Sequence, residues 1–281
     1  MKLARVQANG RTGIAVDTGS EVRAQFDEAD PLDIDELLRS GAKALLDLAT
    51  ETSRRGQAID PDGVLFLPPL PHPRKIVCVG LNYRDHAHEA GFQVPEYPTL
   101  FARFDTTLIG HRQPIQSTPL SDQLDYEGEM VAVIGSAVRD VTEAEALDAV
   151  CAYSVFNDVS VRDFQLKTPQ WTAGKNFDAT GSFGPWLVTA DDVPPGGQGL
   201  HIETRLNGEV VQSASTSDLI FDVAALVATL SKFMTLEPGD VIVTGTPGGV
   251  GVTREPQLWM RPGDICEVEI EGIGLLSNPI A

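Results

Sequence analysis

The sequence predicts an α+β protein in which strands outnumber helices. Short runs of β-branched and apolar residues, bounded by glycine and proline, recur along the whole chain. Two of these runs flank asparagine–glycine pairs, Asn9-Gly10 and Asn207-Gly208, which are typical of tight hairpin turns. Apolar residues at three- and four-residue spacing predict helical pieces at 34–38 and 42–49. The fold class is therefore predicted to be α+β and mostly β.

The first part of the chain, residues 1–70, has the pattern of a small α/β domain. Two alternating strands, Leu3 to Gln7 and Gly13 to Asp17, lie on either side of the first turn, and the two helical pieces follow them. Prolines then cluster at 68–73, where they fix the backbone φ angle and restrict the preceding residues. We therefore predict a boundary near residue 70 and a larger domain over 71–281.

Cap and turn residues predict where other helices begin or end. Thr142 and Glu145 form a capping box, which predicts a helix start. Ser217 is expected to cap the helix that bears Leu219 to Phe233. A short helix after Tyr83 is expected to end at Gly91. His111 falls in a loop and is expected to be solvated.

Composition excludes several classes of protein. The formal net charge of −19 over 281 residues argues against nucleic-acid binding, because no basic patch could neutralise phosphates. No apolar run reaches the roughly 18 residues of a membrane span, and the first residues lack the apolar core of a signal peptide. Three widely spaced cysteines without a CxxC motif indicate reduced thiols. We therefore expect a soluble, cytoplasmic protein that binds neither nucleic acid nor membranes.

The stretch LDYEGEMVAVIG at 124–135 carries the first candidate site. Glu127 and Glu129 precede an apolar strand, and side chains two residues apart on a strand point to the same face. Like charges on one face repel unless a cation or water separates them, so this pair indicates either a metal site or a solvated edge strand. Asp158 ends another apolar strand and could supply a third ligand. Ligation by oxygen alone favours Mg²⁺ or Mn²⁺ over Zn²⁺.

Two further stretches carry candidate acid–base groups. His86 and Glu89 are neighbours at i and i+3 on the predicted short helix, as a general base and its orienting carboxylate would be, or as a surface ion pair would be. Lys175 lies in the stretch WTAGKNFD, in a predicted glycine-flanked turn, where it could neutralise a substrate carboxylate or a developing enolate. The glycine-rich loop 244–251 could contact an anion, but it lacks the P-loop lysine and GxGxxG spacing of nucleotide sites.

Taken together, these stretches resemble the fumarylacetoacetate hydrolase superfamily. The matching pieces are GLNYRDHAHE, LDYEGEMVAVIG, NDVSVRDFQ, WTAGKNFD, GPWLV and LEPGDVIVTGTPGGVG, followed by a late PGD turn. They occur in the family's order over about residues 72–281 and resemble its shorter, prokaryotic-type members. The resemblance implies the family's mixed β-roll or β-sandwich as the catalytic domain, a homodimer, and one Mg²⁺ or Mn²⁺ per subunit.

The resemblance also implies roles for single residues. It gives Glu127, Glu129 and Asp158 as metal ligands and His86, Glu89 and Lys175 as catalytic residues. Substrate contacts are implied at five positions, which are Tyr83, Arg162, Gln165, Gly245 and Thr246. Arg103 stands where many relatives have lysine after the Pro-x-x-Phe stretch, which keeps the charge.

The activity implied first is a divalent-metal-dependent hydrolase that cleaves a C–C bond. Its substrate would be a 2-oxo acid such as an acylpyruvate or another 1,3-diketo acid, which yields pyruvate and a carboxylic acid. Two alternatives use the same chelation of the 2-oxo acid: decarboxylation of oxaloacetate, and isomerase or hydratase chemistry on hydroxymuconate-type ring-cleavage products. A metal-stabilised binding protein without catalysis is the alternative from outside enzymes.

Overall fold

The structure, a computed structural model, describes residues 1–26, 34–89 and 93–281 of the chain. Gly91, the predicted helix end, lies outside the described residues. The strands in chain order are β1 (Lys2–Ala8), β2 (Arg11–Asp17), β3 (Val22–Phe26), β4 (Gln57–Ile59), β5 (Leu65–Leu67), β6 (Ile76–Gly80), β7 (Thr99–Arg103), β8 (Leu108–Ile109), β9 (Leu124–Asp125), β10 (Gly128–Ile134), β11 (Val150–Asp158), β12 (Ser160–Val161), β13 (Gly181–Thr189), β14 (His201–Leu206), β15 (Glu209–Ser215), β16 (Val241–Val243), β17 (Ile265–Ile270) and β18 (Gly274–Pro279). The helices are α1 (Ile34–Arg39), α2 (Ala42–Arg55), α3 (Arg84–Glu89), α4 (Glu143–Ala146), α5 (Arg162–Gln165), α6 (Thr172–Lys175) and α7 (Val223–Phe233).

Most of the described strands join one large mixed sheet. Its order is β4-β3-β2-β1-β13-β11-β10-β16-β6-β7, with β5 added beside β1 and β8 beside β13. A second sheet has the order β15-β14-β17-β18, and β9 pairs with β12. The two larger sheets and helix α7 share one core, in which Met130 and Ala132 of the first sheet pack with Ile202 and Val268 of the second. The prediction of an α+β, mostly β protein is confirmed.

The hairpin turns follow the sequence closely, whereas one helix cap does not. Asn9 and Gly10 have φ angles of 49° and 76°, and Asn207 and Gly208 have 54° and 81°, as a type I′ turn requires. Helix α7, however, is capped by Asp222, whose carboxylate accepts from the N–H of Ala225. The prediction of Ser217 as the cap was wrong, because Ser217 lies in a preceding 3₁₀ turn at Thr216–Asp218.

Strand β1 joins the opening residues to the rest of the molecule. It pairs with β2 over its whole length and with β13 at Lys2↔Val188 and Leu3↔Leu187. The large sheet is therefore continuous across residue 70, and the division at that residue stays a prediction. Among the described residues, no helix combines the length and hydropathy that crossing a bilayer would need.

The large sheet brings four chain segments together at the ends of neighbouring strands, which we call one edge of the sheet. Strand β11 is antiparallel to β10, so the end of β11 lies beside the start of β10, with Gly128 opposite Asn157. Strand β16 is antiparallel to β10 and parallel to β6, so both β16 and β6 also end at this edge. Four segments therefore meet here. They are the loop after β6, the residues before β10, Asp158 at the end of β11, and the glycine-rich loop after β16.

His111 is buried rather than solvated, contrary to the sequence-based expectation. Its side chain is 8% exposed, its Nδ1 accepts a hydrogen bond of 3.0 Å from the N–H of Ser277, and its ring packs edge-on against Phe66. Burial, helped by the neighbouring Arg112, lowers the pKa of His111 from 6.5 to about 4.

This environment predicts a pH-dependent stability. The unfolded chain binds a proton at His111 near pH 6.5, but the folded protein binds it only near pH 4. The free energy of unfolding should therefore fall as the pH decreases through this window, by about 3 kcal/mol for this group. Urea denaturation at a series of pH values, compared between the wild type and His111→Gln, measures the difference. Parallel stability curves for the two proteins would contradict the prediction.

Candidate active site

Three carboxylates meet at the edge of the large sheet. Glu127 precedes β10, Glu129 is its second residue, and Asp158 ends β11. One ligand atom from each lies within 4.8 Å of the others, and the side chains are 6%, 1% and 0% exposed. Burial rules out the alternative of a solvated edge-strand pair, because both glutamates are inside the protein. The residues that the sequence suggested as metal ligands are thus brought together.

Lys175 and Arg162 balance two of these carboxylates. Nζ of Lys175, on helix α6 rather than in the predicted turn, lies 2.7 Å from both Glu127 Oε2 and Asp158 Oδ2. Nη1 of Arg162 lies 2.6 Å from Glu127 Oε1 and donates to Gln165 Oε1 at 2.9 Å. Both cations are buried, so each interacts strongly with its partners.

The carboxylates differ in their charge environment. Burial alone would raise the pKa of Glu127, but Lys175 and Arg162 outweigh it and hold that pKa at about 2. Burial, with the negative charges of Asp158 and Glu127, raises the pKa of Glu129 well above its ordinary value. Glu129 accepts the N–H of Gly245 and has no cationic partner in the described part of the chain. It is therefore the carboxylate that most needs an added positive charge.

Asp158 is held from its other side by Arg103, the last residue of β7. Nη1 of Arg103 donates to Asp158 Oδ1 and, at 3.1 Å, to the carbonyl of Val159, while Nη2 donates to Thr180 Oγ1 at 2.8 Å. The arginine side chain is completely buried. The sequence marked Arg103 only as a substitution that keeps a charge; its burial against a candidate ligand is a finding of the structure.

Glu127 and Glu129 line a cavity of about 190 Å³. His86, Gln165, Lys175 and Thr246 face the same cavity, as does Arg162. The remaining wall is largely apolar and is formed mainly by Val79, Leu81, Phe101, Leu166, Trp171, Val250 and Val252. Part of the cavity wall is thus polar and charged, and the apolar part suits the carbon skeleton of a small molecule.

His86 and Glu89 lie close together, but their side chains are not hydrogen-bonded. Nδ1 of His86 is 3.7 Å from Glu89 Oε2 and is buried without a hydrogen-bond partner. Glu89 Oε2 instead accepts the N–H of Gly249 at 2.9 Å. The nearby imidazole, together with this N–H, lowers the pKa of Glu89 to about 2. His86 therefore lines the cavity, and Glu89 beside it is attached to the glycine-rich loop.

The glycine-rich loop is tied to the acidic strand by two residues that the sequence did not single out. Gln212 donates to Thr246 Oγ1 and to the carbonyl of Pro247, both at 2.8 Å, and accepts the N–H of Gly128. Asp125 accepts the N–H of Gly251 at 2.7 Å and Nε of Arg162 at 2.7 Å. Neither residue carried a sequence signal, since a lone glutamine on a hairpin and an aspartate before a glutamate pair are common.

Two predicted substrate contacts lie behind the cavity rather than on its wall. Gly245 has φ 103° and directs its N–H to Glu129. Tyr83 is 1% exposed, and its hydroxyl has no hydrogen-bond partner. Burial, with the charges of Glu129 and Asp218, raises the pKa of this hydroxyl. Gly245 therefore supports Glu129, and the roles of Tyr83 and Gly245 as substrate contacts stay predictions.

The donor set fits a divalent cation. All three ligands are carboxylate oxygens, which hard cations such as Mg²⁺ and Mn²⁺ prefer. The cluster is buried, and Glu129 forms no ion pair with a side chain of the described residues. The residues present therefore fit the group that the family resemblance implies.

Comparisons with known proteins place the chain in a family. The model for the fumarylacetoacetate (FAA) hydrolase C-terminal region matches residues 75–281. The mitochondrial oxaloacetate tautomerase fahd2 of Xenopus laevis is 36% identical and covers 100% of this chain and 90% of its own length. The oxaloacetate tautomerase YisK of Bacillus subtilis is 44% identical and covers 75% of this chain and 71% of its own length.

A solved structure agrees with these sequence matches. The structure of 5-carboxymethyl-2-hydroxymuconate delta-isomerase from Mycobacterium smegmatis has a TM-score of 0.78 and 33% identity, with 100% of this chain and 98% of that chain covered. The resemblance found in the sequence and the family fold it implied are confirmed. This chain belongs to the fumarylacetoacetate hydrolase family and is an enzyme of that family.

Proposed function

We propose that this enzyme interconverts the keto and enol forms of a 2-oxo acid, with oxaloacetate as the first substrate to test. The observation that carries the proposal is the buried carboxylate triad, two members of which line one cavity with a histidine, a lysine and an arginine. Relatives named oxaloacetate tautomerase cover most of the chain, and a solved relative is named a hydroxymuconate isomerase. These names support proton transfer better than the C–C hydrolysis that the sequence suggested first.

The residues at the polar part of the wall have properties that this chemistry needs. A bound Mg²⁺ or Mn²⁺, held by Glu127, Glu129 and Asp158, would supply Lewis-acid stabilisation of negative charge on the keto oxygen. Burial alone would lower the pKa of Lys175, but Asp158 and Glu127 raise it, so the ammonium stays charged beside the developing enolate. His86 faces the cavity and is the group placed to remove and return the proton on carbon. Nη2 of Arg162 is a buried donor that has no hydrogen-bond partner among the described residues, and we assign it to the substrate carboxylate.

Hydrolysis of acylpyruvates is the second candidate. It is supported by His86 at the cavity and by Glu89 beside it, which could activate water as a pair. Their 3.7 Å separation and the commitment of Glu89 to Gly249 favour proton transfer, which needs no oriented water. The homodimer and the cytoplasmic location implied by the sequence stay predictions.

The first experiment separates the candidate reactions. The ultraviolet absorbance of freshly dissolved enol oxaloacetate should decay faster with enzyme and Mn²⁺ or Mg²⁺ than with metal alone, without release of pyruvate, and excess chelator should abolish the enzyme's effect. Acylpyruvate cleaved to pyruvate and an acid, with no effect on oxaloacetate tautomerisation, would replace the proposal with hydrolysis. Release of pyruvate from oxaloacetate would identify a decarboxylase.

Replacing Glu129 by Gln should remove metal-dependent turnover and leave the fold intact. The amide has nearly the same shape, and no ion pair of the described residues is broken, because Glu129 has no cationic partner there. We expect a loss on the order of 100-fold in turnover with little change in melting temperature. Glu127→Gln is the comparison, since it also weakens ion pairs with Lys175 and Arg162 and should lower the melting temperature. Turnover of Glu129→Gln near the wild-type rate would refute the metal site.

The roles of His86 and Glu89 can be tested separately with single substitutions. His86→Gln should lower kcat by about 100-fold or more if His86 carries the proton. Glu89→Gln should lower kcat by less than about tenfold, because the Gln amide oxygen can still accept the N–H of Gly249. Steady-state kinetics on oxaloacetate measure both. Equal losses in the two variants would instead indicate a working His–Glu pair and favour hydrolysis.

A further inference from the structure

Each carboxylate of the triad has one oxygen tied to a fixed donor of the protein. Asp158 Oδ1 is bound by Arg103, Glu127 Oε1 by Arg162, and Glu129 Oε2 by the N–H of Gly245. The remaining oxygens of Asp158 and Glu127 both face Nζ of Lys175 at 2.7 Å. Each carboxylate is therefore arranged to present a single oxygen to the middle of the cluster.

Arg103 is itself held rigidly. Thr180 donates its hydroxyl proton to the carbonyl of Phe177 at 2.6 Å, so its oxygen presents lone pairs to Nη2 of Arg103. Gly181 leaves the space that the guanidinium needs, since a Cβ there would lie 3.2 Å from Nη2. The guanidinium also lies 5.7 Å from the centre of the Phe156 ring. A donor fixed on several sides fixes the carboxylate to which it is bound.

Mg²⁺ and Ca²⁺ make different demands on carboxylates. Mg²⁺ requires six nearly octahedral oxygens at short distance, and Mn²⁺ accepts the same geometry, whereas Ca²⁺ takes six to eight oxygens at longer distance and often binds both oxygens of one carboxylate. We propose that Arg103 is a positioning residue that confines Asp158 to ligation through one oxygen, and so makes the site prefer Mg²⁺ and Mn²⁺ over Ca²⁺. The proposal rests on the metal site of the proposed function.

Calorimetric titration of chelator-treated, dialysed protein with Mn²⁺ alone and with Ca²⁺ alone tests this directly. The wild type should bind Mn²⁺ more tightly than Ca²⁺. In Arg103→Met, Mn²⁺ affinity should fall by at least about 10-fold, as is usual when the partner of a metal ligand is removed. Ca²⁺ affinity should fall much less, because Oδ1 of Asp158 is then released from Arg103 and can bind the ion together with Oδ2. The dissociation constant for Ca²⁺ divided by that for Mn²⁺ should therefore drop by about tenfold.

Three further variants serve as controls for the effect of Arg103→Met. Arg103→Lys keeps the charge but cannot bind Asp158, Val159 and Thr180 together, so its ratio should lie between those of the wild type and Arg103→Met. Arg205→Met removes an arginine paired with Glu203 and Glu267 on the second sheet and should leave both affinities unchanged. Arg103→Gln takes the place of Arg103→Met if the latter does not fold, with the same expected ratio.

The outcomes distinguish a failure of the role proposed for Arg103 from a failure of the proposed metal site. A wild type that binds neither ion refutes the metal site itself. A wild type that binds Ca²⁺ as tightly as Mn²⁺, or a neutral Arg103 variant that keeps the wild-type ratio, overturns the role of Arg103 and leaves the metal site standing. A loss of stability alone would lower both affinities by a similar factor and would not change their ratio.

Discussion

The site depends on the mutual neutralisation of charges that are buried at one edge of the large sheet. A buried charge without a partner costs several kcal/mol, so these groups are stable only as a set. Lys175 is central because its ammonium contacts Glu127 and Asp158 at the same distance. Around it the charges alternate in sign, in the order Arg103, Asp158, Lys175, Glu127, Arg162 and Asp125.

The fold determines this arrangement through strand ends. The carboxylates lie at the start of β10 and the end of β11, and the glycine-rich loop follows β16. The carboxylates and this loop therefore meet because β11, β10 and β16 are neighbours in one sheet, although β16 is remote from the other two in the sequence. The charged set also reaches the glycine-rich loop, since Asp125 binds both Arg162 and the N–H of Gly251. The candidate metal ligands and this loop thus share one hydrogen-bonded framework.

Local features of this structure were predictable because their causes are local. The asparagine–glycine turns and the facing glutamates follow from residue type and from the two-residue period of a strand. The cap at Asp222 was missed because several polar residues precede α7, and only packing decides which of them begins the helix. The burial of His111 and the contact between Arg103 and Asp158 join residues far apart in the chain, so no local pattern reports them. The specificity for one acyl group or oxo acid was not predictable for the same reason, because the cavity wall is assembled from separate segments of the chain.

The pairing of β1 with β13 has a consequence for shortened forms of this protein. Strand β13 pairs on one side with β11, and β1 covers part of its other side at Val188 and Leu187, where Phe66 packs on Trp186 from above. A fragment that lacked the opening strands would expose backbone donors and acceptors beside apolar side chains, which is the composition of an aggregation-prone edge. The opening residues therefore cover an edge of the sheet that carries the site. A shortened enzyme would need another segment to cover this edge in order to stay monodisperse.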